Sequence, residues 1–499
     1  MMKYRSTRSG ETVTAGEALL LGLARDGGLY VPEKLPEPFL AYDELKEASY
    51  QETARFVLAR FFPDIPEGEL AAMIRSAYTG TFTTPDIVPV KTMNESFSMA
   101  ELFHGRTCAF KDLALSLFPY LLVWAKKHEG EKHRVLILTA TSGDTGKAAL
   151  EGFRDVPGAN ILVFYPSHGV SPLQKDQMQK QAGANVKVVG IEGNFDDAQS
   201  TLKTIFRDPA MNAFAADHGV QFSSANSINI GRLFPQVVYY VWIWLQLVRS
   251  GSIGQKETFN VAVPTGNFGN ILAAWIAKRI GAPIDKLICA SNKNNVLADF
   301  FETGAYDKNR PFFATESPSM DILISSNFER FLYYMTKGDV KTVASDMKAL
   351  SETGRYAMDK AHFQALSEEM LGGWADDEAM RRAVSDVYSR YDYLMDPHTA
   401  TAYAVYMNLR RKGRVPRHSH TVIAATAHPY KFPYAIAEAL DLPESKSPYD
   451  TLRTIAGKTG IPVPEKLASL EDKEPRFTET VPKDEMKEAV KAYIEAIGK

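Results

Sequence analysis

Lys111 is the residue of this sequence best suited to nucleophilic chemistry. It lies between Phe110 and Asp112, directly before an apolar run, residues 113–124, that is typical of a buried helix. Burial disfavours the charged form of an amine and lowers its pKa, and a neutral amine can condense with an aldehyde to form a Schiff base. Taken alone, a Phe-Lys-Asp triplet is more typical of a lysine that reaches solvent at a helix start. The chemical interpretation of Lys111 therefore depends on the other motifs of the chain.

A glycine-bearing turn, Gly266-Asn267-Phe268-Gly269-Asn270, follows a predicted strand and precedes a predicted helix. Glycines allow backbone N–H groups to converge, and a helix N-terminus adds partial positive charge, so this loop could hold a phosphate dianion. The loop does not match GxGxxG, and no acidic ribose ligand follows at the usual distance, which disfavours a dinucleotide. A strand-to-helix turn without a ligand is about equally compatible with this motif alone.

A second loop, Thr141–Lys147, also follows a strand and opens a helix. Its Gly146-Lys147 pair resembles a Walker A loop, but that pattern requires Gly at the position of Thr141 and Ser or Thr at the position of Ala148. The hydroxyl and N–H groups that remain suit a single carboxylate, although a capped helix start explains the same residues.

Further polar residues stand at the ends of predicted elements. Thr426 follows the strand Thr421–Ala425, at the edge where open α/β sheets bind ligands, and its hydroxyl could meet a heteroaromatic nitrogen. The stretch Ser224–Arg232 opens a long core helix with more polar residues than capping requires. His418 and His420 lack a third partner, so no metal site is predicted.

These loops need a framework that brings them to one place. From Arg134 onward, short apolar strands alternate with helical segments, which is the pattern of βαβ units and predicts parallel sheets with flanking helices. We predict an α/β fold with four segments: a mixed N-terminal cap at 1–95, an α/β domain with Lys111 at 96–230, an α/β domain with the glycine turn and a helical insertion at 231–440, and a C-terminal helical tail at 441–499.

Composition excludes several classes of protein. The 499 residues carry a formal net charge of -3 with interspersed signs, which leaves no basic surface for nucleic acid. The longest apolar run, Leu233–Val248, is interrupted by Pro235 and is too short to span a membrane, and no signal peptide is evident. Cys108 and Cys289 form neither a CxxC pair nor a disulfide framework, which indicates a reducing compartment. A cytoplasmic protein is predicted.

Taken together, these motifs resemble those of threonine synthases, in the long form of bacteria and fungi, within the fold-type II pyridoxal-phosphate enzymes. FKD, SGDTG, SANSIN, TGNFGN and ATAHP occur in that family's order, and YRSTR, RDGGLYVPE and PSMDI also resemble it. The resemblance extends from about residue 4 to about residue 433. It implies a tryptophan synthase β-like fold with two open, mostly parallel sheets, pyridoxal 5′-phosphate as cofactor and O-phospho-L-homoserine as substrate.

The resemblance also implies roles for individual residues. Lys111 corresponds to the lysine that holds the cofactor, and Thr426 to the hydroxyl that faces the pyridine nitrogen. The phosphate loop corresponds to Gly266, Asn267, Phe268, Gly269 and Asn270, and the substrate-binding residues to Ser142, Gly143, Asp144, Thr145, Asn226 and Ser227. The family commonly has HGPT before the lysine, whereas this chain has Arg106 in place of the proline. The group that binds the leaving phosphate therefore stays open among Arg106, Lys431 and Arg232.

The implied function is threonine biosynthesis, by conversion of O-phospho-L-homoserine and water to L-threonine and phosphate in a monomer or homodimer. A phospho-lyase that releases a keto acid and ammonia from the same substrate has the same motifs, and another fold-type II elimination or replacement enzyme also stays open. A nucleotide-binding protein that uses Gly146-Lys147 is disfavoured by the two mismatches. A non-catalytic relative is disfavoured because Lys111 is retained.

Overall fold

Two mostly parallel β-sheets form the framework of the protein. The computed structural model describes residues 2–141, 143–168, 170–443 and 445–498. The strands are β1 (Tyr4–Ser6), β2 (Thr12–Val13), β3 (Tyr30–Pro32), β4 (Val90–Asn94), β5 (Phe97–Glu101), β6 (Arg134–Ala140), β7 (Ala159–Pro166), β8 (Val186–Glu192), β9 (Val220–Ser224), β10 (Phe259–Pro264), β11 (Ile284–Ser291), β12 (Ala305–Asp307), β13 (Arg355–Ala357), β14 (Met370–Trp374), β15 (His420–Ala425) and β16 (Thr480–Pro482).

The six-stranded sheet has the order β14-β11-β10-β15-β5-β4, and its neighbours are parallel except for the antiparallel edge pair β4–β5. The five-stranded sheet has the order β16-β8-β7-β6-β9 and is parallel throughout. Every residue of β5, β7, β10 and β15 is buried, as expected for parallel strands whose two faces are both covered. The predicted α/β class with two mostly parallel sheets is confirmed.

Helices cover these sheets and form most of the N-terminal and C-terminal regions. The α-helices are α1 (Ala15–Leu21), α2 (Tyr42–Leu45), α3 (Tyr50–Phe61), α4 (Glu67–Tyr78), α5 (Lys111–Leu115), α6 (Phe118–His128), α7 (Asp144–Phe153), α8 (Pro172–Gln179), α9 (Phe195–Arg207), α10 (Pro209–Asp217), α11 (Ile230–Arg249), α12 (Gly269–Arg279), α13 (Val296–Thr303), α14 (Phe328–Met335), α15 (Val340–Glu352), α16 (Lys360–Ser367), α17 (Asp377–Tyr391), α18 (Pro397–Arg411), α19 (Pro433–Ala439), α20 (Pro448–Thr459), α21 (Glu465–Ala468) and α22 (Met486–Ile497). Short 3-10 turns lie at Pro318–Met320, Pro429–Lys431 and Lys483–Glu485.

Helix α11 is the central packing element. Its residues 230–245 are all buried, which is typical of a helix that is apolar on every side and enclosed by protein. The ring of Phe234 stacks on that of Phe61 in α3, with centroids 4.4 Å apart, so the N-terminal region packs directly on this helix. Within the described residues, no helix has both the length and the apolar character needed to cross a membrane.

Each of the two sheets contains strands from more than one predicted segment. Strand β5, from segment 96–230, pairs with β15, from segment 231–440, and their register aligns Phe97 with Thr421. Strand β16, from the C-terminal tail, pairs with β8 at the edge of the five-stranded sheet. The chain that leads to Lys111 therefore starts from the six-stranded sheet. The division into four segments stays a prediction.

Candidate active site

A cleft at the carboxyl ends of the strands brings most of the predicted site residues together. Ligands of open α/β sheets bind at this edge because the loops after parallel strands converge there. Of the residues predicted from the sequence, the cleft is lined by Lys111, Asp144, Thr145, Ser227, Gly266, Asn267, Phe268, Gly269, Asn270 and Thr426. It is also lined by Phe110, Arg232, Gln236, Ser319, Met320 and His398.

Backbone hydrogen bonds attach the lysine-bearing loop to the end of β15. The Phe110 N–H donates to the Thr426 carbonyl oxygen at 2.8 Å, and the His428 N–H donates to the Cys108 carbonyl oxygen at 3.0 Å. Cys108 has a φ of +60°, so the loop turns sharply there. These contacts fix Lys111, the first residue of α5, next to Thr426.

The surroundings of Lys111 favour its neutral form. The residue is 8% exposed, and its Nζ lies 4.8 Å from the centre of the Phe110 ring and 3.6 Å from Oδ2 of Asp144. Burial lowers the pKa of Lys111; the nearby charge of Asp144 opposes this effect, while those of Arg232 and Lys431 reinforce it. The result is a lowered pKa, as an amine that must lose a proton requires.

Asp144 is the negative partner of two buried lysines. Its Oδ1 accepts hydrogen bonds from Lys431 Nζ at 2.9 Å and from Gln174 Nε2 at 2.8 Å. Burial opposes ionisation of Asp144, but the charges of Lys431 and Lys111 outweigh it and hold the pKa of the carboxyl well below its usual range. A permanent carboxylate repels a substrate carboxylate, so the side chain of Asp144 suits an ion pair with protonated Lys111.

Replacing Asp144 with asparagine should destabilise the protein, because the ammonium of the fully buried Lys431 loses its carboxylate. Removing one partner of a buried ion pair costs about 3–5 kcal/mol. Because folding lowers the pKa of Asp144, this stabilisation is complete above the ordinary carboxyl pKa of 3.8. It is lost as the pH falls through the lower pKa that Asp144 has in the folded protein. Urea unfolding at pH 7 measures the loss, and the difference from the unmodified protein should shrink in acid.

The control for this change is Asp450→Asn, which removes the carboxylate of an exposed ion pair with Arg453. Exposed pairs contribute little to stability, so this variant should unfold at almost the same urea concentration as the unmodified protein. Equal losses in the two variants would contradict the assignment of Asp144 as the counter-charge of Lys431.

The glycine loop presents unpaired backbone donors to the cleft. Ser325 Oγ donates to the Gly266 carbonyl oxygen at 2.7 Å, and Asn327 Nδ2 donates to the Asn267 carbonyl oxygen at 3.0 Å. These bonds hold the loop by its carbonyl groups. None of the described residues accepts a hydrogen bond from the backbone amides of 266–269, which lie where the dipole of α12 adds positive charge. Such a loop is suited to an anion.

Three unpaired side-chain donors belong to residues that line the same cleft. Asn270 Nδ2, Arg232 Nε and Ser319 Oγ are buried, and none has a hydrogen-bond partner among the described residues. Asn270 Oδ1 accepts from the hydroxyls of Tyr239 and Tyr240, both at 2.6 Å, which fixes its amide orientation. Because buried polar atoms in native proteins are normally paired, these donors indicate a missing anionic partner.

His398 and Ser319 were not found from the sequence. His398 Nε2 accepts a hydrogen bond from the Ser319 backbone N–H at 3.1 Å, and its Nδ1 bonds to Asp396 Oδ1 at 2.8 Å. The signal in the sequence was Asp396-Pro397, since an aspartate followed by proline is a typical helix start. Nothing in that pattern indicates that the helix, α18, begins beside the glycine loop.

Among the described residues, two predicted substrate-binding residues, Gly143 and Asn226, are absent from the cleft lining. Ser142 lies outside the described residues. Gly143 has a φ of +135° and packs against Gln174, where an added Cβ would lie 2.6 Å from that side chain. Asn226 Nδ2 donates to the Ala140 carbonyl oxygen at 2.9 Å, which ties its loop to β6. Their roles toward a substrate stay predictions.

The three candidates for the leaving phosphate lie in different places. Arg106 is exposed at the surface. Lys431 is fully buried, where it pairs with Asp144 and donates to the Thr107 carbonyl oxygen at 2.8 Å. Arg232 lines the cleft together with the glycine loop, so it has the best geometry of the three for binding a phosphate there.

Comparisons with known proteins cover almost the whole chain. Family models described as "Threonine synthase N terminus", "Pyridoxal-phosphate dependent enzyme" and "Threonine synthase, C-terminal" match residues 3–78, 93–427 and 399–494. Human threonine synthase-like 1 is 40% identical over 86% of this chain and 58% of its own length. Threonine synthase of Saccharomyces cerevisiae is 35% identical over 88% of this chain and 89% of its own.

A solved structure of pyridoxal-phosphate-bound threonine synthase from Brucella melitensis is similar over 99% of both chains, with a TM-score of 0.86 and 36% identity. The chain spans 58% of the length of the human relative, which is therefore a longer protein than this sequence.

Proposed function

The chain belongs to the threonine synthase family of pyridoxal-phosphate-dependent enzymes, and from this premise we propose that it converts O-phospho-L-homoserine and water to L-threonine and phosphate. The observation that supports this proposal best is the cleft itself. It combines a buried lysine of lowered pKa with a loop of unpaired backbone donors. We also propose a cytoplasmic location and a monomeric or homodimeric state.

Pyridoxal 5′-phosphate fits the residues of this cleft. The amides of 266–269 and Asn270 Nδ2 supply donors for its phosphate, the Thr426 hydroxyl stands at the end of β15 for its pyridine nitrogen, and Lys111 supplies the amine for its aldehyde. When bound, the cofactor withdraws electrons from the substrate carbons that must lose protons. The remaining work falls to side chains of the protein.

Lys111 is proposed as the base for successive proton transfers. Its free amine would remove the proton from the α-carbon, release that proton, and then remove one from the β-carbon. Burial lowers the pKa of this amine, which favours the neutral form that each transfer needs, and Asp144, 3.6 Å away, stabilises the ammonium after it. After phosphate has left the γ-carbon, the two protons that were removed are balanced by one returned to the γ-carbon and one returned to the α-carbon. Water adds at the β-carbon and its remaining proton goes to the released phosphate, which yields threonine.

Arg232 is proposed to bind the leaving phosphate. It is 2% exposed in the first turn of α11, and its Nη1 donates to the Ala225 carbonyl oxygen at 2.6 Å while Nε is unpaired. Burial lowers its pKa to about 10, so it stays charged near neutral pH. A guanidinium matches the geometry of a phosphate and cannot give up its proton to the departing group.

A phospho-lyase acting on the same substrate is the alternative, because it needs the same lysine and phosphate sites. Incubation of the cofactor-loaded protein with O-phospho-L-homoserine, followed by chromatography of the products, separates the two. Equal amounts of threonine and phosphate are expected. A keto acid and ammonia in equal amount to phosphate would identify the lyase. Absence of phosphate release would refute the substrate assignment and leave family membership intact.

Replacing Gly266 with alanine should weaken cofactor binding by about 10- to 100-fold, the usual cost of moving a binding loop by about 1 Å. An added Cβ would lie 2.4 Å from the Ser319 carbonyl oxygen, a backbone atom that cannot turn aside. The loop must therefore shift away from the 318–320 turn. Fluorescence titration of the cofactor-free protein with pyridoxal 5′-phosphate measures the affinity.

Gly457→Ala is the matched control, because Gly457 lies inside α20 and an added Cβ would meet nothing within 4 Å. Its cofactor affinity should equal that of the unmodified protein. Unchanged affinity in Gly266→Ala would show that the 266–269 loop does not hold the cofactor.

A further inference from the structure

Asp396 is a buried carboxylate that connects two walls of the cleft without lining it. The residue is 1% exposed and precedes α18. Its Oδ1 accepts from the His398 backbone N–H at 3.0 Å and from His398 Nδ1 at 2.8 Å, and its Oδ2 accepts from the Thr399 hydroxyl. A helix N-cap requires one acceptor for a backbone amide. The two side-chain donors are additional, and each leads to a different part of the site.

The first connection runs through His398 to the glycine loop. His398 Nε2 accepts from the Ser319 backbone N–H at 3.1 Å. A backbone N–H can only donate, so Nε2 carries no proton and the ring proton is on Nδ1, where it bonds to Asp396. The Ser319 carbonyl oxygen in turn packs so tightly on Gly266 that a Cβ there would lie 2.4 Å away. Asp396 thereby fixes the turn that backs the 266–269 loop.

The second connection runs through Thr399 to the lysine segment. The Thr399 hydroxyl donates to Asp396 and accepts from the Thr426 backbone N–H at 3.2 Å. The Thr426 carbonyl oxygen accepts from the Phe110 N–H at 2.8 Å, and Phe110 directly precedes Lys111. Movement of Asp396 would therefore be transmitted to the hydroxyl of Thr426 and to the start of α5.

We propose that Asp396 is a positioning residue that holds the phosphate side and the pyridine side of the cofactor site at a fixed separation. This inference rests on the proposed assignment of pyridoxal 5′-phosphate to the cleft. Neither connection can be replaced by water without a change in length, since the groups involved are buried. His398 connects Asp396 to the phosphate side and Thr399 connects it to the pyridine side, so mutation of either residue should affect one side alone.

The test uses the cofactor-loaded protein and two spectra. The ³¹P resonance of bound pyridoxal 5′-phosphate reports on the phosphate side, and the visible absorption band reports on the pyridine side. Asp396→Ser keeps an acceptor for the helix amide but cannot bond both side chains; it should shift both signals and weaken cofactor binding by about tenfold, a moderate loss of pre-organisation. His398→Phe should shift mainly the phosphorus resonance. Thr399→Val should shift mainly the visible band, whereas Thr399→Ser, which keeps the hydroxyl, should have the visible band of the unmodified protein.

Asp376→Ser is the matched control, because Asp376 caps the neighbouring helix α17 through a single bond from the Ala379 N–H at 2.8 Å. Because serine can still accept the bond from the helix amide, this variant should keep its unfolding midpoint and leave both spectra unchanged. If Asp396→Ser behaves like this control, the positioning role is refuted. Should Asp396→Ser fail to fold, the same conclusion follows if His398→Phe and Thr399→Val both behave like the control. Unmodified protein that shows no cofactor phosphorus signal would overturn the cofactor assignment and the positioning role together. Unmodified protein that binds the cofactor without forming threonine would overturn only the proposed reaction.

Discussion

Replacement of Lys111 by alanine is expected to abolish covalent attachment of pyridoxal 5′-phosphate and to reduce threonine formation by about 10⁴-fold, the upper range for loss of a general base. Both losses have one origin, because the same amine is proposed to hold the cofactor and to move the substrate protons. Reduction of the loaded protein with borohydride, followed by mass spectrometry of its peptides, should find the cofactor on Lys111 in the unmodified protein. Lys111→Ala should carry no label, and it should lack the yellow colour that is expected of the cofactor-loaded, unmodified protein.

Lys147→Ala provides the matched control for this experiment. Burial also lowers the pKa of Lys147, to about 8, so a lowered pKa alone does not distinguish the two lysines. Their positions distinguish them. Lys147 pairs with Glu151 and Gln181 and is not part of the cleft lining, whereas Lys111 lines the cleft. The label should therefore persist in Lys147→Ala. A label that survives in Lys111→Ala would place the attachment on another lysine.

The parts of the site that local patterns encode were predictable from the sequence. The sequence predicts the glycine turn between a strand and a helix, and in the structure it lies between β10, which ends at Pro264, and α12, which begins at Gly269. Thr426 was expected at the carboxyl end of a strand, where β15 ends. Such features follow from the spacing of apolar residues and glycines over a dozen positions, so neighbouring residues suffice to identify them.

The contacts between distant segments were not predictable in this way. No spacing rule indicates that Asp396 begins a helix beside Thr426, or that Lys431 pairs with Asp144 at 2.9 Å. The sequence makes Lys431 a candidate for the leaving phosphate, whereas the structure buries it completely. Asp144 follows β6 of the five-stranded sheet and Lys431 follows β15 of the six-stranded sheet, so their contact depends on how the two sheets pack together.

The charge of Arg232 has no counterpart in the described residues, and this leads to the second large effect. We expect Arg232→Gln to lower kcat/KM for O-phospho-L-homoserine by about 10³-fold, the cost of removing a group that stabilises developing negative charge in a closed site. The guanidinium lines the cleft with Nε unpaired, and in the absence of an anion its burial is unfavourable. Arg232→Lys keeps the charge and loses the planar guanidinium, so its kcat/KM should lie between those of Arg232→Gln and the unmodified protein.

Arg249→Gln controls for lost packing, because Arg249 ends the same helix and donates to the Leu45 and Ala48 carbonyl oxygens at 2.9 and 2.7 Å, far from any proposed chemistry. It should keep its kcat/KM even if its stability falls.

Cofactor titration then decides which phosphate Arg232 binds. A loss in kcat/KM at unchanged cofactor affinity assigns it to the substrate phosphate, since only that group leaves during turnover. A loss confined to cofactor affinity would reassign Arg232 to the 266–269 loop and its phosphate, and would return the leaving group to an exposed residue such as Arg106.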